Sequence, residues 1–144
     1  MAEEHVLSAD KRIEIRFSEV DSMHVVWHGN YARYFEDARE AFGEKYGLDY
    51  LTIYGAGFFA PLVELTFKYK RPLRYGDRAE IRIFYRPTEA AKLVFDYEIV
   101  DVDSRELVLT GHSVQVFMEK DTYQMVWGNP PFFEQWKEKW GVTP

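Results

Sequence analysis

Alternation of apolar and polar residues dominates the second half of the chain. Val63, Leu65, Phe67 and Tyr69 interleave with Glu64, Thr66, Lys68 and Lys70. Ile81, Ile83 and Tyr85 interleave with Glu80, Arg82 and Phe84, and Leu93, Phe95, Tyr97 and Ile99 with Val94, Asp96 and Glu98. A longer stretch sets Val108, Thr110, His112, Val114, Val116 and Met118 against Leu107, Leu109, Ser113 and Phe117. A period of two is the signature of strands with one buried face. Tyr75-Gly76-Asp77, Arg86-Pro87-Thr88 and Asp101-Val102-Asp103-Ser104 supply the turns. Strands this closely spaced, with no helix between them, pair antiparallel. Near the start, Ile13, Ile15 and Phe17 alternate with Arg12, Glu14 and Arg16, which predicts one more strand over 12–17.

The period changes between these strands. Tyr31, Tyr34, Phe35, Ala38, Phe42 and Tyr46 recur at helical spacing, with Arg33, Asp37, Arg39, Glu40 and Glu44 away from them. This predicts a helix capped by Asn30 and stopped by Gly47. At the far end Asn129-Pro130-Pro131 reads as a cap and first turn, with Phe132, Phe133, Trp136 and Trp140 as the stripe of a short last helix. The order strand, long helix, four strands, short helix is α+β. A curved antiparallel sheet of about five strands wrapped around the aromatic helix buries both.

Composition narrows the function classes. No linker, repeat or low-complexity tract divides the 144 residues, so the expectation is one domain over 1–144. Aromatic residues make up 17%, enough for a thick core, a sizeable interface, or both. Eighteen Lys and Arg against 24 Asp and Glu leave a net charge of −6, which argues against a nucleic-acid partner. With no cysteine, disulfides, thiolate metal sites and a cysteine nucleophile are excluded, and the cytoplasm is the expected address. No apolar run approaches the ~20 residues that cross a bilayer. The start, Met1-Ala2-Glu3-Glu4-His5, is acidic where a signal peptide would be basic, so no membrane partner is expected.

The densest chemistry lies in Asp21-Ser22-Met23-His24-Val25-Val26-Trp27-His28-Gly29-Asn30-Tyr31. A carboxylate sits in a loop a few residues before a helix start, with two histidines between them. The helix start offers unpaired N–H groups and the positive end of the dipole. A base or nucleophile beside such donors is what acyl transfer needs. A plain turn aspartate is the competing reading. His24 and His28, four apart, have no third ligand in view, so no metal is expected. His112 reads as a hydrogen-bonded core or interface residue. Lys68-Tyr69-Lys70-Arg71-Pro72-Leu73-Arg74 is the strongest local concentration of positive charge and suits a phosphate-bearing ligand; the alternative is a charged face that blunts an edge strand.

Asp21, Val25-Val26-Trp27-His28, Asn30-Tyr31, Tyr34-Phe35 and Ala38-Arg39 together resemble the start of the hotdog-fold acyl-CoA thioesterases, in the 4-hydroxybenzoyl-CoA thioesterase-like branch. Pro61, the stretch from Tyr69 to Gly76-Asp77, and that from Val114 to Asp121 agree with the later part of the pattern. The resemblance implies hydrolysis of an acyl-CoA thioester, with Asp21 as nucleophile or general base. The backbone N–H at His28 would polarise the carbonyl, and the His28 ring is a second catalytic candidate. It also implies a homodimer or homotetramer with sites between chains, and no cofactor beyond the coenzyme A of the substrate. Asn30 and Tyr31 match the helix start, with Trp27 before them. His24 stands where relatives usually have glycine, which is expected to crowd or re-line the acyl pocket. Phe17 replaces a tyrosine four residues before the aspartate. Phe59 and Ala60, beside Phe58, are expected to line the acyl pocket, and Arg71, Arg86 and Lys92 to meet the nucleotide. Glu36, Asp37 and Glu40 occupy the helix on which another hotdog branch carries its carboxylate; here they are expected on a solvated or interface face. A hotdog hydratase or dehydratase with a His–Asp pair, and a non-catalytic acyl-thioester-binding protein, are the competing functions.

Overall fold

The aromatic stripe of the long helix meets a sheet whose inner face is also aromatic, and their contact organises the chain. The computed structural model describes residues 6–143; the acidic start over 1–5 lies outside them. In chain order the elements are β1 (Ser8–Glu14), a 3-10 turn (Phe17–Glu19), α1 (Asn30–Tyr46), α2 (Tyr50–Gly55), β2 (Phe58–Phe59) and β3 (Leu62–Tyr69). β4 (Arg78–Tyr85), β5 (Lys92–Asp101), β6 (Leu107–Glu119), β7 (Met125–Val126) and α3 (Pro131–Trp140) follow. One seven-stranded sheet runs β1-β4-β5-β6, and β6 pairs along its length with β3, β2 and β7. Every pairing is antiparallel.

The alternation predicted for β4 and β5 holds: Ile81, Ile83, Tyr85, Leu93, Phe95, Tyr97 and Ile99 are buried. On β6 the face turned to the core is that of Leu109, Ser113 and Phe117, all buried, so His112 lies on the opposite, outer face of the sheet. There its Nδ1 is 2.7 Å from Asp96 and its Nε2 3.1 Å from Glu64, so it is hydrogen-bonded as expected. Burial works against the charge of Asp96, but hydrogen bonds from His112 and Arg86 outweigh it and hold its carboxyl below the usual range.

All six residues of the α1 stripe are buried, and the helix ends at Gly47 in the left-handed conformation (φ 74°). Phe35 lies flat on Tyr97 with ring centroids 4.0 Å apart, and Phe42 meets Phe95 edge-on. Gly111 on β6 makes this approach possible, because a Cβ there would lie 2.2 Å from the Phe35 ring. α3 closes the open end of the core. The indole N–H groups of Trp136 and Trp140 donate to the Tyr46 carbonyl, and the buried Lys137 ammonium donates to Thr88 O, Ala90 O and Asn129 Oδ1.

Three local expectations change. The first strand covers Ser8–Glu14 rather than 12–17, because the buried alternation begins at Leu7 and Ala9. The chain then leaves the strand, and Phe17 enters the 3-10 turn 77% exposed. Asn30 is the first residue of α1 and does not cap it; its side chain donates to Glu19 O instead. Asn129 likewise caps nothing and bridges Glu89 O and Lys137. α2, β2 and β7 are too short to leave a periodic signal.

Gly111→Ala should cost roughly 1–3 kcal/mol by overpacking. Urea unfolding checks this, and a loss under about 0.5 kcal/mol, the usual span of a neutral surface change, would contradict the close seat of α1.

Candidate active site

Between the 3-10 turn and α1 the chain folds back on itself through a Val20–Val26 bridge, and Val25 bridges to Arg74. Residues 21–25 form the tip. Asp21 N donates to Val25 O and His24 N to Asp21 O, each at 2.9 Å. The Met23 amide donates to Asp21 Oδ1 at 2.8 Å. This Asx turn orients the half-buried carboxylate by one oxygen and leaves the other without a donor among the described residues. His24 has φ 65°, the left-handed region that suits glycine. The His24 ring is exposed and does not line the pocket beside Asp21, contrary to the expected crowding.

The return to α1 is held at both ends. Val26 N donates to Leu73 O, Trp27 N to Glu19 O and Asn30 N to Trp27 O, at 2.8, 2.9 and 2.9 Å. The amides of His28 and Gly29, between those anchors, have no acceptor among the described residues. They stand at the N-terminus of a 17-residue helix, where such donors and the dipole favour negative charge. Asp21 and His28 share a pocket of about 400 Å³ with Met23, Val25, Val26, Tyr31, Tyr69, Lys70, Arg71 and Pro72. Its walls are mainly apolar. Burial pushes the Tyr31 hydroxyl up from the ordinary phenol value.

The other candidates scatter. Trp27 is half-exposed, with its ring over Gly29, where a Cβ would lie 2.2 Å from it. Asn30 is 7% exposed and turned inward. Phe17 packs edge-on against Tyr75 and lines a separate cleft beside β1. Phe59 and Ala60 line a groove of about 370 Å³ with Glu36, Arg39, Glu40, Leu93, Phe95 and Gln115. Desolvation, then Asp49 and Glu44, push the Glu40 carboxyl up. Arg71 reaches the Asp21 pocket but is also paired with Glu106. Arg86 is paired with Asp96 on the outer sheet face, and Lys92 is exposed at the start of β5. Met23, Tyr69 and Lys70 also line the Asp21 pocket: Met23 belongs to the loop that carries Asp21, and Tyr69 and Lys70 to the basic stretch whose charge suits a phosphate-bearing ligand.

Residues 15–137 match the Thioesterase-like superfamily. The chain belongs to that family. Two similar proteins carry thioesterase names. "Putative acyl-CoA thioesterase YneP" of Bacillus subtilis is 29% identical over 116 residues, 81% of this chain and 83% of its own. An acyl-acyl carrier protein thioesterase of Arabidopsis thaliana, chloroplastic ATL3, is 29% identical over 74% of this chain and 56% of its own. Among solved structures, the DHNA-CoA thioesterase of Staphylococcus aureus superposes with a TM-score of 0.84 at 28% identity, covering 93% of this chain and 89% of that one. The sheet and helix of this thioesterase are thus the hotdog fold, as the sequence resemblance implied.

His24→Gly in this thioesterase should raise stability by about 0.5–1 kcal/mol, since relief of the left-handed cost exceeds the added freedom of the unfolded chain. Thermal unfolding checks it; a lowered melting temperature would show that the His24 ring makes a stabilising contact.

Proposed function

We propose that this thioesterase hydrolyses acyl-CoA thioesters to a free carboxylic acid and coenzyme A in the pocket between Asp21 and the start of α1. One observation carries the reading. A carboxylate with a free oxygen lines one pocket with His28, whose amide, like that of Gly29 next to it, has no acceptor among the described residues. The amides of His28 and Gly29 bond the carbonyl oxygen more strongly as charge develops on it. Asp21 either attacks the carbonyl carbon or takes a proton from the water that does. The C–S bond breaks and the thiolate leaves to be protonated; where Asp21 is the nucleophile, water then cleaves the acyl-aspartyl anhydride to the free acid and restores the carboxylate, and no cofactor takes part. Lys70 and Arg71, at the pocket's edge, supply positive charge for the coenzyme's phosphates.

The edges of the sheet support a homodimer. β1 presents Asp10, Lys11, Arg12 and Glu14, and the backbone of Ser8 is already taken by Tyr46 and Lys45. Charge of this kind blunts an edge. Among the described residues β3 pairs only with β6, and it exposes Leu62, Val63 and Tyr69 at 39%, 56% and 54%. A two-fold pairing of β3 edges runs antiparallel and sets the start of one β3 beside the end of the other. The groove with Phe59 and Ala60, next to Lys92, then comes alongside the Asp21 pocket of the second chain. Pairing of two dimers gives the homotetramer that the resemblance implies, and the cysteine-free composition supports a cytoplasmic address.

Asp21→Asn should lower turnover of the best substrate in an acyl-CoA panel by ~10²–10⁴, with coenzyme A affinity little changed. Turnover within about threefold of the parent would remove Asp21 from the reaction. Val63→Asp should convert a micromolar dimer to monomer in light scattering, because pairing of the edges would desolvate a carboxylate at a position now apolar. An unchanged mass would place the interface elsewhere.

A further inference from the structure

The carbonyl oxygen of Glu19 accepts two hydrogen bonds, from the Trp27 amide at 2.9 Å and from the Asn30 side-chain Nδ2 at 2.9 Å. These donors flank His28 and Gly29. A single oxygen therefore closes both ends of the turn whose two middle amides are free. That oxygen is itself fixed: Glu19 N donates to Arg16 O at 3.0 Å, and its Oε1 accepts from Arg16 N at 2.7 Å. Asp21 follows two residues later on the same segment, beyond Val20, whose bridge to Val26 joins the two sides. Carboxylate and amides are thus referred to one common anchor.

We infer that Asn30 is a positioning residue, whose carboxamide holds the His28 and Gly29 amides at a set distance from Asp21 by binding the Glu19 carbonyl. This rests on the function proposed above. Asn30 is buried and does not line the Asp21 pocket, so it replaces the substrate contact expected of it with a role one layer behind. A capping side chain would explain an asparagine at a helix start, but here the side chain bonds no α1 amide. Small displacements of donors and nucleophile lower the rate of the chemical step while leaving binding of the remote parts of a substrate intact.

Asn30→Asp tests this, because a carboxylate at a helix start is favoured by the dipole while the donor to Glu19 is lost; Asn30→Ala is the second variant if the first does not fold. Each is compared with the parent and with Asp21→Asn on the same acyl-CoA ester, with circular dichroism and a thermal melt. The expected result is a folded protein with kcat lowered about tenfold to a hundredfold and KM within about threefold. If KM rises tenfold with kcat unchanged, Asn30 contacts substrate and the inference is overturned. If kcat stays within threefold while Asp21→Asn is inactive, the inference fails and the site stands. If Asp21→Asn is also active, the site itself is misplaced and the inference falls with it.

Discussion

The seat of α1 on the sheet is the constraint from which the remainder follows. Phe35 stacks on Tyr97 within 3° of parallel, and it can do so only because β6 carries Gly111 beneath it. Phe42 and Tyr46 extend the contact to Phe95 and Trp140. With the helix fixed in height and direction, its N-terminus has one location, above the loop that carries Asp21. Aromatic burial on this scale contributes several kcal/mol per ring, far more than any single bond in the loop. The site can therefore hold a left-handed His24 and two unsatisfied amides at a cost the core offsets.

Division of labour between the sheet edges is the second consequence. The same sheet that buries Ile81, Ile83 and Ile99 without exposure ends in β3, where half-exposed apolar side chains lie along an edge that is unpaired among the described residues. One chain supplies a carboxylate and amides at one end of that edge and an apolar groove with a half-buried Arg39 at the other. Arg39 donates to Tyr97, which in turn bonds the buried Ser113, so the groove's one cation is tied to the core beneath the helix. Pairing of edges would bring the two halves together, which is the physical argument for the proposed dimer.

Much of this was legible because periodicity reports burial directly. The inner faces of β4 and β5 and the stripe of α1 could be read residue by residue, and Asp21 before a helix start was visible as a carboxylate near free donors. What escaped depended on backbone geometry or on non-local partners. Asn30 looked like a cap because asparagine favours that position, yet its acceptor, the Glu19 carbonyl, lies eleven residues back. His24 looked like a wall of the pocket because side-chain size is visible in a sequence and a positive φ is not. Phe17 continued an alternation that the chain abandons as it enters the 3-10 turn. Arg86 and Lys92, with Arg71, are expected from the resemblance to meet the nucleotide, but Arg86 lies on the outer face beside Asp96 and Lys92 at a strand start.

In the proposed reaction the thioester carbonyl sits on the amides at the start of α1. The most direct measurement is amide NMR of the ¹⁵N-labelled protein titrated with an acyl-CoA analogue in which a methylene replaces the thioester sulfur. The analogue keeps the carbonyl and cannot be hydrolysed. The account predicts that the His28 and Gly29 amide protons move downfield, as new hydrogen-bond donors, at the same ligand concentration that perturbs Asp21 and Tyr31. Unmoved His28 and Gly29 signals at saturation, with the largest changes in the cleft beside β1, would contradict it.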